Sequence, residues 1–199
     1  MADGSGQRVE SSSSAPIGFA QVLDEVTLQR ARRGDTAAFA AIYDRYGLAC
    51  YNLALRILGE PSAAQDIVHD VFVRLITGLR GFRGEAPFGA WLKRMVANAT
   101  IDALRGRQRF VDVDDDALAT FAAVTEDAED RADAWSLLMR LPPRARAVVV
   151  LHEVEGYTHK ELAQWFGQSE SYSKSILARA LAQLQARTRE TTGGKHDDD

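Results

Sequence analysis

Thr158-His159-Lys160-Glu161-Leu162-Ala163-Gln164-Trp165-Phe166-Gly167-Gln168-Ser169-Glu170-Ser171-Tyr172-Ser173-Lys174-Ser175-Ile176-Leu177-Ala178-Arg179-Ala180 is the most informative stretch of this chain. Thr158 with Glu161 forms a capping box, in which each side chain satisfies a free backbone N–H at a helix start. Leu162, Ala163, Trp165 and Phe166 carry the short helix behind it, Gly167 supplies a sharp turn, and Ser169 can cap a longer helix reaching to about Arg187. Short helix, glycine turn and longer helix make the helix-turn-helix pattern. On the second helix Ile176, Leu177, Ala180, Leu181 and Leu184 keep one side apolar. Glu170, Ser171, Tyr172, Lys174, Ser175 and Arg179 are left on the side that meets base edges and phosphates in such motifs. An ordinary amphipathic hairpin is the competing reading; box, glycine and local positive balance together favour DNA.

Upstream, Leu141-Pro142-Pro143 stops a helical pattern running from about Ala128 to Met139, and a new helix starts behind the prolines with Ala147, Val148, Val150, Leu151 and Val154. Three more helices are predicted before that. Asp35 caps the first, whose apolar stripe is Phe39, Ile42, Tyr43, Tyr46, Cys50, Leu53 and Ile57, closed by Gly59 and Pro61. Ser62 caps the second, with Ile67, Val68, Val71, Phe72, Leu75 and Ile76 apolar. The third runs from about Pro87 to Leu104, burying Phe88, Trp91, Leu92, Met95, Val96, Ala99 and Leu104. No alternating β-branched run reads as a strand. The expected fold is all-α: two small helical domains, an N-terminal three/four-helix bundle and a C-terminal helix-turn-helix, joined by an acidic linker. The expected boundaries are a disordered tail over 1–26, the bundle over 27–109, the linker over 110–127, the helix-turn-helix unit over 128–190 and a second tail over 191–199.

The 199 residues are 46% apolar and 26% charged, close to ordinary globular composition, so a core can form. No stretch approaches the roughly 18 apolar residues of a membrane span and the start has no apolar signal core, so a cytoplasmic location is expected. Enzyme readings fail on spacing. His152-Glu153 is followed by Val154-Glu155-Gly156 and lacks the second histidine of a zinc-protease motif. Asp112, Asp114 and Asp116 open like a calcium loop, yet Ala117 and Ala123 stand where glycine and glutamate are required. Gly-rich phosphate loops and nucleophile elbows are missing. Cys50, the single cysteine, falls on an apolar stripe and reads as core. No catalytic residue, metal or cofactor is expected.

Charge is distributed in blocks although the formal net charge is −4. Residues 79–109 hold seven cations (Arg80, Arg83, Lys93, Arg94, Arg105, Arg107, Arg109) against Glu85 and Asp102; residues 111–130 hold eight carboxylates and no cation; residues 144–189 hold seven cations against four anions. Charge alone leaves solvated faces as an equal reading. The first basic block also interleaves Phe82, Phe88 and Trp91 with Lys93, Arg94, Asn98, Asp102 and Arg105, and flat apolar rings beside cations are what unstacked single-stranded bases require. Burial in the core is the alternative for Phe88 and Trp91. Asp66 and Asp70 lie one turn apart on the second helix, where they either favour the helix N-terminus or dock a basic partner.

Gln65-Asp66-Ile67-Val68-His69-Asp70-Val71-Phe72-Val73-Arg74-Leu75, Phe82-Arg83-Gly84, Phe88 with Trp91-Leu92, Asn98 and Ile101-Asp102 with Leu104-Arg105 resemble the second conserved region of bacterial sigma factors of the extracytoplasmic-function class. Leu141-Pro142-Pro143-Arg144 with Arg146, Glu155-Gly156-Tyr157-Thr158 with Glu161-Leu162-Ala163, and Ser171 with Lys174-Ser175, Leu177 and Arg179-Ala180 resemble their fourth region. The resemblance spans about residues 30–188. It implies a factor that binds core RNA polymerase, directs it to promoter DNA and assists melting, held in check by a separate anti-sigma factor, with no membrane insertion of its own. Asp66, Asp70 and Phe72 would dock on polymerase. Arg83, Phe88, Arg94, Asn98, Asp102 and Arg105 would read the minus-ten element, including a base flipped from the non-template strand. Ser171, Tyr172, Lys174, Ser175 and Arg179 would meet the minus-thirty-five element. The acidic linker would thread near the polymerase active-centre cleft, imitating nucleic acid. Four positions depart from the family pattern: Gln65 stands for an acidic residue, His69 for glutamine, Ser171 for glycine and Ile176 for arginine. Two other functions compete: a free-standing regulator that dimerises through its bundle, and a nucleic-acid enzyme using the acidic segment.

Overall fold

The computed structural model describes residues 17–108 and 134–193. Among them regular structure is entirely helical: α1 (Glu25–Arg32), α2 (Thr36–Leu58), α3 (Pro61–Gly78), α4 (Phe88–Gln108), α5 (Ala134–Met139), α6 (Pro143–Val149), α7 (His159–Phe166) and α8 (Glu170–Gly193). α6 runs on into a π-helical stretch, Val150–Val154. The acidic linker and Arg109, like residues 1–16 and 194–199 of the tails, lie outside the described residues.

Local chemistry sets the helix ends. Asp24 accepts from the Thr27 N–H at 2.8 Å and starts α1. Asp35 accepts from the N–H groups of Ala37 (2.9 Å) and Ala38 (3.2 Å), starting α2, and also takes the Arg30 guanidinium at 2.7 Å. That guanidinium, followed by the N–H bonds, holds the Asp35 carboxyl below its ordinary pKa. α3 begins one residue before the expected Ser62 cap, because Pro61, with its preset φ and missing N–H, suits the first helical position. The capping box at Thr158 forms as expected, Thr158 Oγ1 accepting from the Glu161 N–H and Glu161 from the Thr158 N–H. Ser169 accepts from the Tyr172 N–H at 3.1 Å and so caps α8.

α2, α3 and α4 form the N-terminal bundle around Ile42, Tyr46, Cys50, Leu53, Val71, Leu75, Leu92 and Val96, with α1 across α2. Burial pushes the Cys50 thiol up to about 12, so it stays protonated, consistent with a packing role. Within residues 17–26, expected to belong to the tail, Phe19 and Leu23 are instead packed against the bundle. The Tyr46 hydroxyl donates to the Gln21 carbonyl at 2.6 Å, and the Phe19 carbonyl lies so close to Gly89 that a Cβ there would sit 2.0 Å from it. The signal is a glycine near the start of α4, which makes room for another backbone.

In the C-terminal half α6, α7 and α8 enclose Val148, Leu151, Leu162, Phe166, Ile176 and Ala180. The two helical units do not hang apart on the linker. α6 packs on α2 and α7 on α4, and one continuous apolar core joins them. At the seam Arg146, 5% exposed, donates to the carbonyls of Ile57 (2.8 Å), Leu58 (2.7 Å) and Met139 (3.3 Å). A helix ends with carbonyls that have no intrahelical donor, and a cation is favoured there. Gly59 ends α2 in the left-handed region (φ 74°), and a Cβ on it would fall 2.9 Å from the Arg146 guanidinium. Gly59→Ala is therefore expected to destabilise the chain by about 1–2 kcal/mol from the backbone alone, read as a lower urea midpoint; an unchanged midpoint would mean the turn relaxes freely.

Candidate nucleic-acid interface

The first candidate face is the outside of α3. Gln65, Asp66, His69 and Asp70 are exposed there, opposite buried Ile67, Val68, Val71 and Leu75. Both aspartates fall beyond the first turn of α3, which contains no acidic residue, so the helix-dipole reading of them gives way. Phe72 is half-buried and meets the Tyr43 ring edge-on at 4.9 Å. Tyr43 and Ile76, expected in the core, are 52% and 59% exposed, and Val73 is 51% exposed. Tyr43 and Ile76 each sit one residue from a buried position and are thus turned about 100° from it, while Val73 sits two residues from both Val71 and Leu75, on the side away from them. An acidic pair beside exposed apolar side chains suits a partner that is basic and apolar. Sequence reasoning missed Tyr43, Val73 and Ile76 as surface residues, because their apolar character fits either side of a stripe.

The second face is the loop after α3 together with α4. Arg83 is exposed, and its nearest carboxylate, Glu85, is 3.9 Å away in solvent. Phe88 does not offer a stacking platform. It is 6% exposed, inside a cluster with Tyr46 (5.4 Å between centroids), Phe82 (5.5 Å) and Trp91 (5.7 Å). Its position just behind Pro87 puts it on the inward side of α4. Arg94 is half-exposed, Asn98 half-buried, and Asp102 lies 3.8 Å from Arg105. A cleft of about 590 Å³ opens beside them, lined by Phe82, Arg83, Trp91, Lys93, Arg94 and Tyr157. Burial, with Glu155 beside it, pushes the Tyr157 hydroxyl up to about 12, so the phenol is neutral.

The third face is α7, its turn and α8. Gly167 occupies the left-handed region (φ 65°) that the turn requires. Ser171, Lys174, Ser175 and Arg179 project into solvent on the outer side of α8. Tyr172 is half-buried, its hydroxyl accepting from Arg144 at 2.7 Å while the guanidinium lies over its ring. Ile176 is 1% exposed, so this departure from the family pattern packs the core rather than facing a ligand.

Two helical units, one presenting a helix-turn-helix with Lys174 and Arg179 in solvent and the other a cationic helix beside a cleft, define a DNA-binding protein of the transcription-factor class. Residues 42–110 match the family model for Sigma-70 region 2, and residues 131–184 that for Sigma-70, region 4. The ECF RNA polymerase sigma factor SigM of Mycobacterium tuberculosis is 31% identical over 151 residues, covering 76% of this chain and 77% of that protein. The RNA polymerase sigma factor NccH of Alcaligenes xylosoxydans xylosoxydans is 32% identical over 175 residues, covering 82% and 94%. Among solved structures, CnrH in complex with the cytosolic domain of CnrY aligns with a TM-score of 0.49 at 25% identity, covering 84% of this chain and 97% of that one. The chain belongs to the extracytoplasmic-function class of RNA polymerase sigma factors. Among the described residues no helix is long and apolar enough to cross a membrane, and no group of three or more His, Cys, Asp or Glu side chains could hold a metal ion.

Proposed function

We propose that this sigma factor divides its work among the three faces: α3 docks on core RNA polymerase through Asp66, Asp70 and Phe72, the loop and α4 engage the minus-ten element, and α8 engages the minus-thirty-five element. Arg83, Arg94, Asn98, Asp102 and Arg105 serve the minus-ten contact, and Ser171, Lys174, Ser175 and Arg179 the minus-thirty-five contact, with Tyr172 steadied by Arg144. Phe88 and Trp91 support the cleft rather than the DNA. The domains take the boundaries 27–109 and 128–190. The chain acts in the cytoplasm as a binding factor without catalytic chemistry or cofactor, and a separate anti-sigma factor restrains it.

The observation that carries this reading is the pair of cationic faces on different units, α4 and α8, each backed by its own buried helices. The test is transcription from a random promoter library by core polymerase with and without the chain. Enrichment of one sequence class that requires both components supports the reading. Tight, selective binding by the chain alone, with no effect on polymerase, would instead indicate a free-standing regulator. Lys174→Ala is expected to weaken promoter engagement by the holoenzyme by about 1 kcal/mol and to reduce the salt dependence by about one phosphate contact. An unchanged salt slope would remove Lys174 from the DNA contact.

A further inference from the structure

We propose that Arg32 is a positioning residue for the minus-ten loop, and that residues 19–32 form an arm fixing both ends of that loop. The inference rests on the reading of the loop after α3 as a minus-ten contact. Residues 83–87 are all exposed and lie between two buried anchors, Phe82 and Phe88. At the first anchor Arg32, in the last turn of α1, donates through Nη2 to the Phe82 carbonyl at 2.5 Å, and its guanidinium lies 5.9 Å from the centre of the Phe82 ring. That carbonyl belongs to the peptide that leads into Arg83. At the second anchor the Phe19 carbonyl packs against Gly89, where a side chain would leave it no room. Arg32 thus reaches the loop from 50 residues upstream.

The arm can serve as a fixed point because it is itself tied to α2. The Gln21 carbonyl accepts from the Tyr46 hydroxyl and the Val22 carbonyl from Arg45, while the Gln21 side chain donates to the Arg45 carbonyl at 2.9 Å. Buried Leu28 and Ala31 hold one side of α1 against the same helix. A short exposed loop must be ordered before it can select a base, and that entropy cost weakens binding unless other contacts have already met it. Arg32 and Phe19 meet it in advance at the two ends. The Arg32 Nε is buried without a hydrogen-bond partner, a penalty that stability alone does not account for. The arm also lies ahead of residues 42–110, where the match to Sigma-70 region 2 is found. Loop placement in this chain therefore depends on residues outside that region.

The test compares Arg32→Met, which keeps bulk and removes every donor, with Arg33→Met, the same change at the exposed next residue. In the free full-length chain, amide hydrogen exchange over residues 79–87 is expected to rise about tenfold in Arg32→Met, the size of response to losing a charge-assisted hydrogen bond, and to stay within about twofold in Arg33→Met. In holoenzyme on a promoter recovered from the random library, opening of the minus-ten thymines, read by permanganate, should slow about tenfold in Arg32→Met. Discrimination among bases in that element should fall as well, while affinity for core polymerase stays within about twofold. A merely structural role would instead raise exchange throughout the bundle and weaken core binding alongside. Arg32→Lys keeps the charge and a donor but loses the planar face over Phe82, so it should move the readouts the same way by a smaller factor, and it serves if the methionine variant unfolds. Gly89→Ala checks the other end: alanine is favoured over glycine in a free helical turn, so faster exchange over residues 79–87 there would come from displaced Phe19, and unchanged exchange would strike Phe19 from the arm. Loop exchange unchanged in Arg32→Met overturns the anchoring. A looser loop with unchanged melting and base discrimination overturns the positioning role. Arg83→Ala separates the underlying reading: melting at the native rate in that variant would reject the loop's minus-ten assignment, whatever the exchange shows.

Discussion

Arg146→Met is expected to lower the unfolding free energy by about 3 kcal/mol, because the substitution keeps bulk and removes every donor to the carbonyls of Ile57, Leu58 and Met139. A buried acceptor left without a donor costs about 1–3 kcal/mol, and the two α2 carbonyls are already beyond the reach of intrahelical donors. For a chain of this length the loss corresponds to a drop in Tm of roughly 6–12 °C. Arg146→Lys should fall between, since an ammonium keeps the charge at the end of α2 but lacks the fork that reaches two carbonyls at once. Thermal and urea unfolding of the three proteins would check this. A loss below about 1 kcal/mol in the methionine variant would mean the carbonyls find water as the units part, and the seam would then owe little to this side chain.

Asp70→Arg is expected to cut affinity for core polymerase by at least about 2 kcal/mol, some thirtyfold, while leaving the fold unchanged. Asp70 is exposed on α3, and surface substitutions away from caps and buried networks usually alter stability by less than about 0.5 kcal/mol. Reversal both removes a favourable charge and places a like charge against a basic partner, and the apolar side chains of Phe72, Val73 and Ile76 cannot compensate. Titration of labelled chain with core enzyme, beside a melting curve of the free chain, separates docking from folding. Equal affinity would move the polymerase contact off α3, and Tyr43→Ala on the same patch would then be expected to have no effect either.

The helix-turn-helix was legible because its signals are local. The Thr158–Glu161 box, Gly167 and the Ser169 cap each act within about four residues, and all three form as the sequence predicts. The α4 face was legible in part. Its cations are where helical spacing puts them, but Phe88, which periodicity favours as core, enters the minus-ten set only through the family resemblance, and the rings of Tyr46, Phe82 and Trp91 around it decide for the core. Tyr43 and Ile76 went the other way: periodicity locates a stripe but not its edge.

By itself the amino-acid sequence determined most of the helices, the Asp35, Thr158 and Ser169 caps, the turn and the family, since hydrogen bonds at helix ends and a 3.6-residue apolar period are short-range properties of neighbouring residues; it missed α1 and set the start of α3 at Ser62 rather than Pro61. What the tertiary structure alone decided is which charges face water. Arg146 finds its acceptor 89 residues away and Lys93 finds Glu155 across 62. Nothing local distinguishes these two cations from Lys174, because whether a cation is solvated or paired depends on which distant carbonyl or carboxylate packing brings beside it.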